Sequence, residues 1–527
     1  MSSHTHLSRR QFIRGLALAA GSTALGWDAL AASIREPARS DFPVVVIGAG
    51  LGGLISGAYL ARAGFPVTVL EQHAVPGGYA SAFDRGDFTF DVSLHATVVE
   101  GAVPQKILTE LGLWDRIELA HAPELRRIVA DGYDVTLPAR DPDGVKAALS
   151  QAFPTERQGI HGFYSEMVQV IEEMNQGRRS SNSMMQQLSK ISLAQWMDRH
   201  VTRPEVKACM SVFSGYYGVE PGRINALFYA IATGEYLVHG GQYYKSRSQD
   251  FSDLLAGAIE GGGGQMVYNT RAREIRRDKT GAVTAVVDDR GIAHPARAVV
   301  ANCPVPTLVG ELLPRQAFSR DFLTAVDRRN PSLASFIVWL GLDRPVSGIG
   351  DYEIDFLGDG RLIPGRRPGQ GDPANAKFSL NLYDNLYPDY SAPGKSTLSL
   401  VCLADYAPWK RYEADYFQDR KAAYNKEKDR IAEALVRRVE KQLIFGLSER
   451  IEVMEAATPL TNVFYTGNPG GAIYGYDRDL PPLGVKTPVP GLYLAGSWAN
   501  GGGYTPAMMG GREAAGALIR DFRRSAG

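Results

Sequence analysis

The sequence predicts an α/β fold built on a parallel sheet that binds a nucleotide. Three observations predict it. Val44–Ile47 is an apolar β-branched run of the kind that fills a strand buried on both faces. It leads directly into Gly48-Ala49-Gly50-Leu51-Gly52-Gly53, a G-x-G-x-x-G turn. Far along the chain, residues 492–495 form a second apolar strand, followed by a Gly-rich loop over 496–503 and a small-residue helix over 507–519.

The chain opens with a segment that reads as a targeting signal. Ser8-Arg9-Arg10-Gln11-Phe12 precedes an apolar stretch over 16–25, and Ala29-Leu30-Ala31 supplies the small residues a signal peptidase accepts. Residues 1–31 are therefore expected to be a twin-arginine signal peptide. Its partner would be the twin-arginine (Tat) translocase, and the mature protein would be periplasmic or otherwise extracytoplasmic. That route carries folded proteins, so a cofactor would be loaded before export. The remaining chain is ordinary globular sequence: 527 residues overall, 44% hydrophobic, 22% charged, net charge zero. Neutrality gives nucleic acid no purchase. Cys209, Cys303 and Cys402 are far apart with no C-x-x-C pair, so neither a metal cluster nor a disulfide framework is expected.

In the glycine turn each residue type has a physical task. Gly48 makes the tight turn, Gly50 lets the backbone approach a pyrophosphate, and Gly53 lets the following helix, expected over 54–63, pack on the strand. That helix offers its N-terminal N–H groups and dipole to the phosphates. A second strand over 67–70 ends at Glu71, whose carboxylate is placed to accept hydrogen bonds from ribose hydroxyls. Ala49 and Leu51 complete the cofactor loop. Gly77-Gly78 follows shortly after, where a glycine pair lets the chain run along a long dinucleotide.

Glu71, Pro76-Gly77-Gly78, then Phe88, Phe90 and Asp91 resemble the N-terminal motif of the phytoene desaturase, carotenoid isomerase and retinol saturase family of FAD proteins. His95 fits the isomerase and saturase branches, whereas Val92 stands near where the family usually has glycine. At the other end, Gly496, Gly502, Pro506 and Gly510 sit at the spacing of the family's C-terminal FAD motif. The resemblance implies that Gly496, Ser497 and Gly502 contact the cofactor. It also implies that the backbone at Ala507, Met508 and Met509 faces the flavin ring. Residues 458–479 match a further family pattern of Thr-Pro, then Pro-Gly-x-x-Tyr-Gly; of Tyr465, Tyr474 and Tyr476 there, either all pack the loop or at least one faces flavin or substrate.

The resemblance further implies a Rossmann-type FAD-binding domain assembled from three segments, 41–120, 241–310 and 456–527. An interleaved α+β substrate domain would come from 121–240 and 311–455. Within the middle segment, Gly261 to Gly264 follows a helix and precedes a strand, the wrong order for a phosphate loop, and reads as a helix stop. In the substrate segments, helices are expected around 160–176 and 193–201, strands around 332–343 and 396–406, and a long amphipathic helix over 416–443.

Hydrolase and metalloenzyme motifs are lacking, so no metal is expected and a bound flavin would carry the chemistry. The expected function is an exported FAD-dependent oxidoreductase acting on carbon–carbon bonds of a lipophilic polyene, isoprenoid or acyl substrate, by desaturation, saturation or isomerisation. Quinone or oxygen would take the electrons, and peripheral contact with a membrane would suit such a substrate. His95 is the candidate catalytic group, moving a proton near the flavin. Two alternatives are kept open: an FAD-dependent amine oxidase, for which Lys486 is the lysine nearest in sequence to the C-terminal motif, and a flavin-stabilised lipid carrier. Residues 209–219 and 224–238 either line an apolar tunnel or form core.

Overall fold

The computed structural model describes residues 41–176 and 183–526; the signal expected over 1–31 lies outside them. A five-stranded parallel sheet has the order Leu492–Leu494, Ala298–Ala301, Val44–Ile47, Val67–Leu70, Gln265–Val267. Val45 pairs with Val299 on one side and Thr68 on the other. All four residues of Val44–Ile47 are buried, which is why the run is uniformly apolar. Val44 and Val46 join a core with the helices Leu51–Arg62, Arg247–Gly261 and Tyr504–Ala526. Val45 and Ile47 face a second core that includes the antiparallel strands Ala272–Arg277 and Val283–Asp288.

Several element boundaries differ from the sequence expectation. The first helix begins at Leu51, not 54, because Gly50 is its N-cap, in extended conformation. The glycine turn and the helix start are thus one structure. The last helix begins at Tyr504, three residues before the expected start, and a short helical turn, Ser497–Asn500, occupies the Gly-rich loop. The helix expected over 416–443 is broken into Glu413–Phe417 and Ala422–Gln442, with Asp419 between them at φ 58°, a left-handed conformation that interrupts helix propagation.

A seven-stranded mixed sheet forms the second layer, in the order Ile451–Ala457, Ala334–Leu342, Ser396–Ala404, Phe378–Leu382, Glu353–Phe356, Glu124–Ala130, Tyr133–Pro138. One face packs on the helix Ala422–Gln442 through Ile431, Leu435, Val436 and Val439. The other face looks toward a large cavity. Helices Arg157–Asn175 and Ala226–His239 build a further apolar layer beside it.

Candidate active site

A cavity of about 1030 Å³ runs from the ends of the parallel strands to the seven-stranded sheet. Of the residues expected to hold the cofactor, Gly48, Gly50, Leu51, Gly52, Glu71, Gly77, Gly78, Gly496, Ser497 and Ala507 line it. Ala49 lies just behind: it is fully buried, and its N–H donates to Glu71 Oε2 at 2.7 Å. Glu71 Oε1 accepts from the His73 N–H at 2.9 Å. Each carboxylate oxygen keeps further acceptor capacity at the cavity edge. Gly50 and Gly77 form a bridge, and Gly77 N–H donates to Ala49 O at 2.8 Å, so the two glycine segments are clipped together.

Gly52 and Gly53 hold this geometry by close approach. A Cβ on Gly53 would lie 2.0 Å from Gly48 O, and one on Gly52 would lie 2.4 Å from Gly496 Cα. The first helix and the C-terminal loop touch backbone to backbone here. The remaining expected residues stand back from the cavity. Gly502 packs on Tyr474, Met508 is fully buried in the core beside the parallel sheet, and Met509 is buried as well. The reason is the earlier helix start. The Ala507 N–H is already bonded to Gly503 O at 3.1 Å, so the end that faces the cavity is at Gly503 and Tyr504, with Ala507 alone of the three lining it.

These residues fit FAD. Gly50 and Gly52 present bare backbone to the cavity. The N-cap carries no side-chain hydrogen bond, and the N–H groups of Leu51, Gly52 and Gly53 donate to no acceptor among the described residues. This is the donor set a pyrophosphate takes. Asn302, which the sequence reading missed, closes the cradle from the strand end after Ala298–Ala301, with Nδ2 donating to Gly48 O at 3.3 Å.

Asp91 anchors the segment that carries His95. It is buried and accepts from the Leu94 N–H, the Tyr243 hydroxyl at 2.8 Å, and the N–H and hydroxyl of Ser248. Ser248 Oγ is in turn hydrogen-bonded to the Tyr504 hydroxyl at 2.5 Å. Burial pushes the Asp91 carboxyl upward, against these hydrogen bonds. One carboxylate therefore ties the 88–95 segment to the helices Arg247–Gly261 and Tyr504–Ala526. Val92 has no positive φ, so nothing at that position requires glycine.

His95 lines the cavity, and the Tyr352 hydroxyl donates to its carbonyl at 2.5 Å. Burial, followed by the nearby Arg126 charge, pushes the imidazole down to about 3. The ring is neutral at neutral pH, the form with one N–H donor and one acceptor nitrogen. Its Nδ1 is buried without a partner. An orphaned acceptor costs less than an orphaned N–H, so the proton sits on Nε2, and His95 is a hydrogen-bond donor. The folded state thus binds fewer protons here than the unfolded state between about pH 3 and the ordinary 6.5. The resulting stability is complete above pH 6.5 and is lost as pH falls through that window. His95→Gln is expected to flatten the acid side of a Tm-against-pH curve; an unchanged slope would contradict the neutral buried imidazole.

A buried ion cluster, which sequence patterning did not reveal, stands beside His95. Arg126 is paired with Glu353 and lies 3.7 Å from Asp355 Oδ2. Its guanidinium carbon is 4.6 Å from the Phe213 ring centroid and 4.3 Å from that of Tyr216. Burial works against the arginine's charge, but Glu353, Tyr216 and Asp355 outweigh it. Burial pushes Asp355 up to about 6 despite Arg126, and Glu124 up to about 7 despite the backbone N–H groups of Tyr352 and Glu353 that it accepts. Glu353 and Asp355 line the cavity.

Much of the remaining lining is apolar, including Val212, Ile337, Trp339, Leu357, Phe378 and Val401. Tyr465 and Tyr474 line the cavity, whereas Tyr476 is buried against Trp498, ring centroids 4.8 Å apart. Segment 209–219 divides: Val212 and Tyr216 face the cavity, while Cys209, Met210 and Phe213 are core, as are Leu227 and Tyr229 of the next segment. Lys486 lies on the exposed surface, bound to Asp521 at 2.8 Å, and does not line the cavity. It cannot serve as the flavin-side lysine of an amine oxidase.

The family profile described as "Flavin containing amine oxidoreductase" matches residues 51–519. All-trans-retinol 13,14-reductase of Danio rerio is 24% identical, over 89% of this chain and 84% of that protein. Phytoene desaturase (neurosporene-forming) of Rhodobacter capsulatus is 24% identical, over 90% of this chain and 94% of that protein. Among solved structures, cyclohexylamine oxidase from Brevibacterium oxydans shares the fold, with a TM-score of 0.61 at 15% identity over 92% of this chain and 100% of that one.

Proposed function

The chain belongs to the flavin-containing amine oxidoreductase family and is an FAD-dependent oxidoreductase; from that premise we propose that it is exported and acts on carbon–carbon bonds of a lipophilic polyene, isoprenoid or acyl substrate. The observation that carries this reading is the continuity of the cavity. The cradle of Gly50, Gly52 and Glu71 opens directly onto walls made by Ile337, Trp339, Leu357, Phe378 and Val401. Such walls exclude water and hold a chain by dispersion and hydrophobic contact. The similarity to a retinol reductase and a phytoene desaturase supports the same substrate class.

Gly50, Gly52, Glu71 and Gly77 would hold FAD, which would supply hydride-transfer chemistry at carbon when bound. The chain's own residues orient the substrate, exclude water and present His95 Nε2–H as a donor. The helix end at Tyr504 faces the cavity and favours negative charge there. Export rests on Ser8-Arg9-Arg10-Gln11-Phe12 and the apolar stretch after it. Outside the cytoplasm nicotinamide reductants are scarce, so desaturation with electrons passed to quinone or oxygen is the favoured direction.

The test begins with holoprotein recovered from the extracytoplasmic fraction; its absence there overturns the export part. Anaerobic mixing with an isoprenoid or acyl substrate is expected to bleach the flavin bands and yield a product lacking two hydrogen atoms. Bleaching by amines alone would make the protein an amine oxidase. Bound lipid with no bleaching by either class would make it a carrier.

A further inference from the structure

We infer that the substrate carries a hydroxyl group, held between His95 and Glu353; this rests on the reading of the cavity as a site for a lipophile. The strands Glu124–Ala130 and Glu353–Phe356 pair in parallel, with Ile354 opposite Arg127. Alternation sends Ile354 and Phe356 into the core shared with helix Ala422–Gln442, and turns Glu353 and Asp355 to the cavity. A mostly apolar wall thus ends in carboxylates.

The partners of this cluster are mostly assigned. Glu353 Oε1 accepts from the Tyr216 hydroxyl at 2.6 Å and faces Arg126. Asp355 Oδ1 accepts from the Ser379 hydroxyl at 2.5 Å, and its Oδ2 faces Arg126. Asp355 Oδ2 and Arg126 Nε lack a hydrogen-bond partner among the described residues but have essentially no accessible surface, which leaves Glu353 Oε2 and His95 Nε2. Glu353 Oε2 accepts no hydrogen bond, and His95 Nε2 makes none, among the described residues. They are neighbours through Tyr216, whose ring centroid is 6.3 Å from that of His95 and whose hydroxyl is on Glu353.

A donor and an acceptor left facing one cavity are matched by a group that is both. A hydroxyl accepts from His95 Nε2–H and donates to Glu353 Oε2. A hydrocarbon would strip water from both atoms and replace neither bond. An ether accepts but cannot donate. An ammonium could satisfy the carboxylate but would face the His95 N–H and the Arg126 charge.

The test uses the flavin-loaded protein and four ligands on one skeleton: geranylgeraniol, its methyl ether, the parent hydrocarbon and geranylgeranylamine. Binding is followed by perturbation of the flavin absorption and by quenching of tryptophan fluorescence, since Trp339 lines the cavity. The alcohol is expected to bind at least about tenfold tighter than the ether or the hydrocarbon. His95→Leu, which leaves the ion cluster intact, is expected to reduce that preference to within about threefold, and Glu353→Gln to weaken it, with thermal melts confirming that both variants fold. Equal binding of alcohol and hydrocarbon overturns the hydroxyl assignment and leaves the lipophilic reading standing. Preference for the amine overturns both, as does failure of all four to bind.

Discussion

Gly52→Ala is expected to yield protein whose flavin-to-protein ratio after gel filtration is at least about tenfold below that of the parent. The added methyl would sit 2.4 Å from both Gly496 Cα and Gly496 N and 2.6 Å from Asn302 Oδ1. Two of these are backbone atoms, so no rotamer change relieves the clash. The first helix and the C-terminal loop must separate, and overpacking of this kind costs about 1–3 kcal/mol. Separation moves Asn302, Gly496 and the helix start together, and these are the groups that form the cradle. Gly257→Ala is the control. It lies in the helix Arg247–Gly261, where a Cβ meets nothing within 4 Å, so it should retain flavin and gain up to about 1 kcal/mol of stability. Full flavin in Gly52→Ala would show that the glycine contacts do not shape the cradle.

The part of the site legible in the sequence is the part whose chemistry is local. Val44–Ile47, the glycine turn, the helix, Val67–Leu70 and Glu71 are consecutive, and each residue type answers a demand made by its immediate neighbours. Asp91 is legible only in part: the bond it accepts from the Leu94 N–H is local, whereas its partners Tyr243 and Ser248 are 152 and 157 residues away. Helix starts were less legible. Gly50 looked like turn, yet it caps the helix, and Tyr504 starts a helix that small residues suggested only from 507. Asn302 followed an unremarkable strand, and nothing nearby signals that Gly48 lies against it. The ion cluster was least legible. Arg126 sits in the strand ELRRIVA, where a charged residue reads as solvent-facing. Its partners are about two hundred residues on, brought alongside by one parallel pairing. Local periodicity carries no information about such a pairing, and Glu353 and Asp355 become cavity groups only through it.

Arg126→Met is expected to lose about 3–5 kcal/mol of stability at neutral pH, because removing one partner leaves buried charges without compensation. Glu353 and Asp355 would face each other and the aromatic rings of Phe213 and Tyr216 with no cation between them. The pH dependence identifies the cause. Asp355 already stands at about 6 in the native protein, raised foremost by burial, with Arg126 holding it down. Removing the arginine raises it further. A carboxyl raised above its unfolded value binds a proton in the fold, so its contribution is present at low pH and is lost as pH rises through the folded value. His95 adds to the effect, since Arg126 is the second reason its imidazole stays near 3. Without that charge the imidazole is easier to protonate, and the acid penalty shrinks. The variant should therefore be nearest to the parent at mildly acidic pH and farthest from it at neutral pH, in thermal melts taken at both. Arg126→Met combined with Glu353→Gln should recover part of the neutral-pH loss, because one of the two stranded charges is gone. A deficit of the same size at both pH values, unaltered by the second substitution, would mean that the arginine acts by filling space between Phe213 and Tyr216 and not by its charge.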